Sequence, residues 1–163
     1  MILGQGEYRY ELVEDWEQLP HGFTHGDVAG VSTDSQDRVY VFNRGEHPLL
    51  VYDRDGSFVT SWGEGIFTRP HGITIHDDAV YLADDGDHTV RKFTLEGELL
   101  QTLGTPNHPS DTGYDWGTST SLKTIARGGP PFHRPTRLSV SQDGDLYVSD
   151  GYGNARIHRF SAR

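Results

Sequence analysis

The sequence predicts an all-β chain built from propeller-type blades, and three observations carry that prediction. The first is a unit of about 40 residues that recurs. Its copies are VAGVSTDSQDRVYVFNRGEHPLLVYDRDGSFVTSWG (28–63), RPHGITIHDDAVYLADDGDHTVRKFTLEGELLQTLG (69–104) and RPTRLSVSQDGDLYVSDGYGNARIHRFSAR (134–163). Tyr40, Tyr81 and Tyr147 fall in the second apolar run of each copy, and Gly56 and Gly97 close matching Asp-Gly and Glu-Gly turns 41 residues apart. The second observation is that each complete copy holds four short runs with β-type alternation. In the second copy these are GITI, AVYLAD, TVRKFT and ELLQTL, separated by HDD, DGDH and LEG. Such turn residues suit tight antiparallel connections. The third is that no segment sustains a 3.6-residue period between good helix caps. Four short antiparallel strands per repeat, each sheet needing a neighbour to bury its faces, describe a propeller blade.

Taken in order, residues 1–26 form an amino-terminal segment in which YRYELVEDW alternates like a strand, and it is expected to pair with the edge of another blade as a closing strand. Residues 27–64 are assigned to blade 1 and 65–104 to blade 2. Residues 105–133, rich in Pro, Gly, Ser and Thr, are an inter-blade insertion too long for an ordinary connection. Insertions in repeat folds collect on one face, often the binding face, so Tyr114, Trp116, Lys123 and Arg127 are candidates to line a mouth there. Residues 134–163 are blade 3 without its fourth strand. Propellers close with about four to eight blades. The expectation is therefore a partial propeller that closes by self-association, as a homodimer, or as part of a longer chain.

Composition narrows the function classes. The formal charge is −10, with 24 acidic against 14 basic residues. That argues against nucleic acid, whose phosphates need a basic footprint, and against a polybasic membrane anchor. There is no cysteine, hence no disulfide framework and no thiolate metal site. The start MILGQGEYRY has no basic region and no apolar run of signal length. The sequence as written reads as soluble and cytoplasmic, with an extracytoplasmic location open if a leader had been trimmed.

The runs VYLADDGDHTVRKF and LYVSDGYGNARIHRF resemble NHL-type propeller repeats. VYVFNRGEHP, RPHGI, GGPPF and YVSDGYGNARI, in that order, further resemble peptidyl-α-hydroxyglycine α-amidating lyase (peptidylamidoglycolate lyase) and its bacterial relatives. That resemblance implies a six-bladed propeller of which about three blades are here. It implies cleavage of the N–Cα bond of a C-terminal α-hydroxyglycine to a peptide amide and glyoxylate. It also implies a zinc held by three histidines, a structural calcium bound partly by backbone carbonyls, and a catalytic arginine and tyrosine beside the zinc. Carried over by motif, the arginine is Arg44, the zinc histidine His71, the tyrosine Tyr152, and the calcium carbonyls belong to Val31 and Ile73. The family's other two zinc histidines and third calcium ligand fall in later blades. The implied partner is a peptide substrate, and the alternative is a non-catalytic NHL-repeat binding or assembly module.

Read without the resemblance, each residue has a plainer role beside the chemical one. His71 is either a hydrogen-bonded structural histidine or one of about three protein ligands that a catalytic zinc takes. Its repeat position matches Gly30 in the first copy and Thr136 in the third. Arg44 either pairs with Glu46 or Asp53 on the surface or holds a carboxylate or developing oxyanion. Tyr152 is either a packed aromatic or a phenol serving as general base, lifted from the sheet by conformational freedom at Gly151 and Gly153. His47 and His88 recur with the repeat and read as structural. Asp84, Asp85 and Asp87 lack the spacing of a calcium-binding loop and read as solvated turn acids.

Overall fold

The structure, a computed structural model, describes residues 1–163. It is all-β apart from a single turn of 3₁₀-helix at Ser121–Thr124. A hairpin comes first, β1 (Ile2–Gln5) with β2 (Tyr8–Glu11). The first blade is a four-stranded antiparallel meander of β3 (Val28–Thr33), β4 (Val39–Asn43), β5 (Leu49–Tyr52) and β6 (Phe58–Trp62). The second repeats it with β7 (Pro70–His76), β8 (Ala79–Asp84), β9 (Thr89–Thr94) and β10 (Leu99–Leu103). The third has β11 (Arg137–Val140), β12 (Leu146–Asp150) and β13 (Arg156–Phe160). The HDD turn shows how local chemistry sets the register. Asp77 and Asp78 both take positive φ, 49° and 52°, which is the two-residue turn that fits the twist of a hairpin.

The core lies between blades. Tyr40, Phe42, Leu49 and Val51 of the first pack on Ile73, Val80, Leu82 and Phe93 of the second. Ala79, Tyr81, Ala83 and Val90 of the second pack on Phe132, Leu138 and Val148 at the third. Central strands β4, β5, β8 and β9 are buried on both faces, so they read as continuous apolar runs. The innermost strands β3, β7 and β11 stand side by side. Ile75 N–H donates to Ser32 Oγ at 3.2 Å, and Thr74 Oγ1 donates to the Leu138 carbonyl at 2.6 Å. A Cβ on Gly72 would lie 2.2 Å from the Thr136 carbonyl oxygen, so only glycine lets β7 approach β11 this closely.

The amino-terminal run departs from the expected closing strand. Tyr8–Glu11 folds back on Ile2–Gln5, and all eight hairpin residues are exposed. The strip that follows covers the outer face of the first blade instead: Trp16, Leu19 and Phe23 pack on Val41, Leu50 and Tyr52. Gln18 N–H donates to the Gly56 carbonyl at 2.9 Å, and Trp16 Nε1 to the Arg54 carbonyl at 2.9 Å. A near β-turn closes this hairpin locally, and the apolar residues after it satisfy a blade face rather than a sheet edge. The far face of the third blade keeps Tyr147 and Ile157 exposed.

Candidate functional site

One polar device recurs at the same end of every blade. The last residue of the second strand accepts hydrogen bonds from backbone N–H groups of the segment entering the innermost strand. Asn43 Oδ1 accepts from Gly26 at 3.2 Å, Asp84 from Thr68 at 2.6 Å and Arg69 at 2.9 Å, and Asp150 from His133 at 2.8 Å. These three side chains are fully buried. They tie the turn after the second strand to the start of the first, and the turns carry Arg44, Asp85 and Tyr152.

His71 enters this end through a β-bulge. Pro70 pairs with Asp84 and Gly72 with Ala83, which leaves His71 unpaired between them. In the first blade Val28 pairs with Asn43 and Gly30 with Phe42, so the bulged residue there is Ala29. The counterpart of His71 is thus Ala29 and not Gly30. The sequence alone cannot locate this offset, because a bulge is a property of the pairing. A bulge re-aims a side chain out of the alternation of its strand, and His71 Nε2 comes within 3.4 Å of Tyr152 Oη, 81 positions away. The rings stand 5.5 Å apart at 59°. Burial lowers the His71 pKa below 6.5; Asp85 and a hydrogen bond at the Thr136 backbone act in the opposite direction, and Arg44 and Arg69 lower it further. The imidazole is therefore held toward its neutral form, which can accept a proton or a phenol hydrogen bond.

Arg44 reaches the same place from the first blade. Its Nε donates to the carbonyl of Pro70, the residue before His71, at 3.0 Å, and its Nη1 to Asp27 at 2.9 Å. The surface partners expected for it, Glu46 and Asp53, are not the ones it takes. Asp27 stands across the turn on the strand entry, where the equivalent position in the second blade is Arg69. Tyr152 is exposed, between Gly151 and Gly153. Neither glycine takes positive φ; the left-handed residue of this turn is Ala155, at 52°. Gly153 is required for close approach instead, because a Cβ there would lie 2.3 Å from the His133 ring. Val31 and Ile73 occupy the neighbouring strands β3 and β7, paired with Val41 and Leu82.

The acidic run departs most from its reading as solvated. Asp84, Asp85 and Asp87 are all buried. Asp84 caps four backbone N–H groups, those of Thr68, Arg69, Gly86 and Asp87. Asp85 takes Arg69 and Arg134 on one oxygen. Asp87 takes Thr89 and Arg91. Asp87 takes its donors from within four residues, but Asp84 and Asp85 draw on the strand entries at Thr68, Arg69 and Arg134, which spacing within the run does not reveal. Of the insertion residues singled out, Tyr114 and Trp116 line a cavity of about 440 Å³ with Arg69, Asp85 and Arg134. Arg127 instead pairs with exposed Asp111, and Lys123 sits in the 3₁₀ turn. The insertion is fastened at its base: Thr112 Oγ1 donates to the Gly153 carbonyl at 2.6 Å, and Asn154 Nδ2 to the Gly129 carbonyl at 2.6 Å.

No group of three or more His, Cys, Asp or Glu side chains in this chain is arranged to hold a metal ion. His71 by itself does not make a zinc site, which takes about three protein ligands. Two carbonyls are likewise short of the six to eight oxygens that calcium takes.

The NHL repeat is matched at residues 132–160. Human NHL repeat-containing protein 3 is 34% identical over 93% of this chain and 43% of its own length. Peptidyl-alpha-hydroxyglycine alpha-amidating lyase 2 of Drosophila melanogaster is 28% identical over 93% of this chain and 39% of its own length. This chain thus spans less than half the length of these relatives. Among solved structures, a selenomethionine-substituted virginiamycin B lyase from Staphylococcus aureus superposes with a TM-score of 0.54 at 13% identity, over 83% of this chain and 41% of that one. At that identity the likeness shows the fold alone. No helix is long and apolar enough to cross a membrane. The chain is an all-β partial propeller bearing an NHL repeat, and its homologues include NHL repeat-containing protein 3 and the α-amidating lyases.

Proposed function

We propose that this chain contributes the Arg44–His71–Tyr152 side of an amidating-lyase-type site. That site acts on peptides ending in α-hydroxyglycine and yields the peptide amide and glyoxylate. The single observation that carries the reading is the meeting of His71 Nε2 and Tyr152 Oη at 3.4 Å, with Arg44 bonded to the carbonyl one residue before His71. The Tyr152 phenol stands beside an imidazole kept neutral by burial, the form a metal donor needs, and is placed to take the proton of the substrate hydroxyl as general base. Loss of that proton lets the hydroxyl carbon become a carbonyl as the C–N bond breaks, and the leaving nitrogen must be protonated. Arg44 retains Nη2 for the carboxylate of the departing glyoxylate. In this reading His71 is also one zinc donor, with the remaining donors outside the present residues.

The test is glyoxylate release from an N-acylated α-hydroxyglycine peptide, with zinc supplied, by this chain within an assembled propeller that brings in the remaining donors. The wild-type assembly should release glyoxylate, and His71→Ala should lose about 100-fold or more in rate. Equal rates in the two proteins, or no release by the wild type, would contradict the proposal.

One observation favours a second reading, a non-catalytic NHL binding module. Two of the three guanidinium nitrogens of Arg44 already hold Asp27 and Pro70, which is what a structural arginine does. Absence of turnover with folding intact would support that reading.

A further inference from the structure

The turn after the second strand faces the strand entry through a charge pair, and the pair changes from blade to blade. In the first blade Arg44 on the turn meets Asp27 on the entry. In the second the signs are exchanged: Asp85 is on the turn and Arg69 on the entry. In the third the entry again carries an arginine, Arg134, but the turn position is Gly151. Arg134 has no acid opposite it on that turn and crosses to Asp85, placing Nη2 at 2.7 Å and Nε at 3.2 Å. Two guanidiniums therefore share one fully buried carboxylate, and the cluster keeps one positive charge in a chain of net charge −10.

That charge is at the wall of the cavity of about 440 Å³. Arg134 turns Nε and Nη2 to Asp85, and no protein group accepts from Nη1. Arg69 uses Nη1 alone, and its side chain remains 38% exposed. The Trp116 ring stacks on the Arg134 guanidinium at 3.7 Å, and Tyr114 stands 6.2 Å from Trp116. An aromatic wall and a cationic floor thus meet in one recess. The recess asks for an anion to meet the arginines and a flat apolar group to lie against Trp116 and Tyr114.

We infer that the recess between the second and third blades is a binding site for an N-acylated aromatic amino acid with a free carboxylate, such as the aromatic C-terminus of a peptide. The carboxylate sits on Arg69 and Arg134, the side-chain ring packs on Trp116, and acylation removes the ammonium that the two arginines would repel. The recess adjoins the mouth, with the Arg134 guanidinium 5.8 Å from the Tyr152 ring, but binding there needs neither metal nor turnover, so either reading can fail without the other.

The test is calorimetric titration of the metal-free chain with N-acetyl-L-phenylalanine and with N-acetyl-L-phenylalaninamide, which lacks the carboxylate. The acid should bind about tenfold or more tightly than the amide, and added salt should reduce that preference. Trp116→Ala, at an exposed side chain, should keep the wild-type unfolding midpoint, and Arg69→Gln, which leaves Asp85 paired with Arg134, should stay folded under the titration conditions. Each should weaken acid binding by about tenfold. Equal affinity for acid and amide would overturn the inference. So would acid binding unchanged in both variants, or no saturable binding by about 10 mM.

Discussion

The Asp27–Arg44 pair and the Arg69–Asp85–Arg134 cluster occupy equivalent places in successive blades, yet they differ in burial and in balance. Asp27 is 79% exposed at its side chain and meets one arginine. Asp85 is 0% exposed and meets two. A surface pair gains little, because water screens it and two long side chains must be ordered. A buried carboxylate between two guanidiniums is different: taking it away leaves Arg134, 9% exposed at its side chain, with no acid to answer it. The same repeat position thus serves as a trim contact in one blade and as the electrostatic join between blades in the next. The excess charge of the join is what makes the adjacent recess chemically distinct from the mouth around His71 and Tyr152.

Asp85→Ala should break this comparison most sharply. It should destabilise the chain by about 3–5 kcal/mol in urea unfolding, since Arg134 is left buried and unpaired. A loss no larger than that of an exposed pair would mean that the two arginines relax into solvent.

A smaller effect is expected from pH, through His88 in the same recess. Burial, chiefly, with help from His133 and Arg134, lowers its pKa below 6.5, against the pull of Asp87 and Asp150. Protons then bind the unfolded chain more readily than the folded one over the interval beneath 6.5. Stability should therefore fall as pH drops through that interval and level off below the folded value. His88→Gln should flatten that fall. The carboxyls of Asp34 and Glu64 are held below their ordinary values, Asp34 by Arg38 and backbone N–H groups acting against burial and Glu64 chiefly by His47. They lose their contribution only at more acidic pH, so the two phases separate in a titration of the unfolding midpoint.

The smallest effect belongs to Asp27→Ala, about 0–1 kcal/mol. A loss as large as that of Asp85→Ala would erase the distinction between the two pairs.

Much of the fold is legible in the sequence because its determinants are local. The recurrence of Tyr40, Tyr81 and Tyr147, and of Gly56 and Gly97, marks strands and turns whose residue preferences act within a few positions. Gly56 carries more than turn chemistry, though. It takes φ 88°, and a Cβ there would lie 1.7 Å from the Trp16 carbonyl oxygen. The site is less legible because its geometry is made by pairing between distant segments. The bulge that re-aims His71 exists only once β7 meets β8. The burial of Asp84 and Asp85 depends on donors from the strand entries at Thr68, Arg69 and Arg134. The stack of Trp116 on Arg134 joins an insertion to a strand entry 18 positions later. Charge-rich spelling with turn spacing looks the same whether water or a neighbouring blade supplies the partners.

The measurement that bears most directly on the account is a double-mutant cycle on glyoxylate release, with His71→Ala, Tyr152→Phe and the two together. If the phenol and imidazole at 3.4 Å act as one unit, the double variant should be about as slow as the slower single variant. Losses that simply multiply, or a Tyr152→Phe variant as fast as the wild type, would contradict a shared role at the mouth.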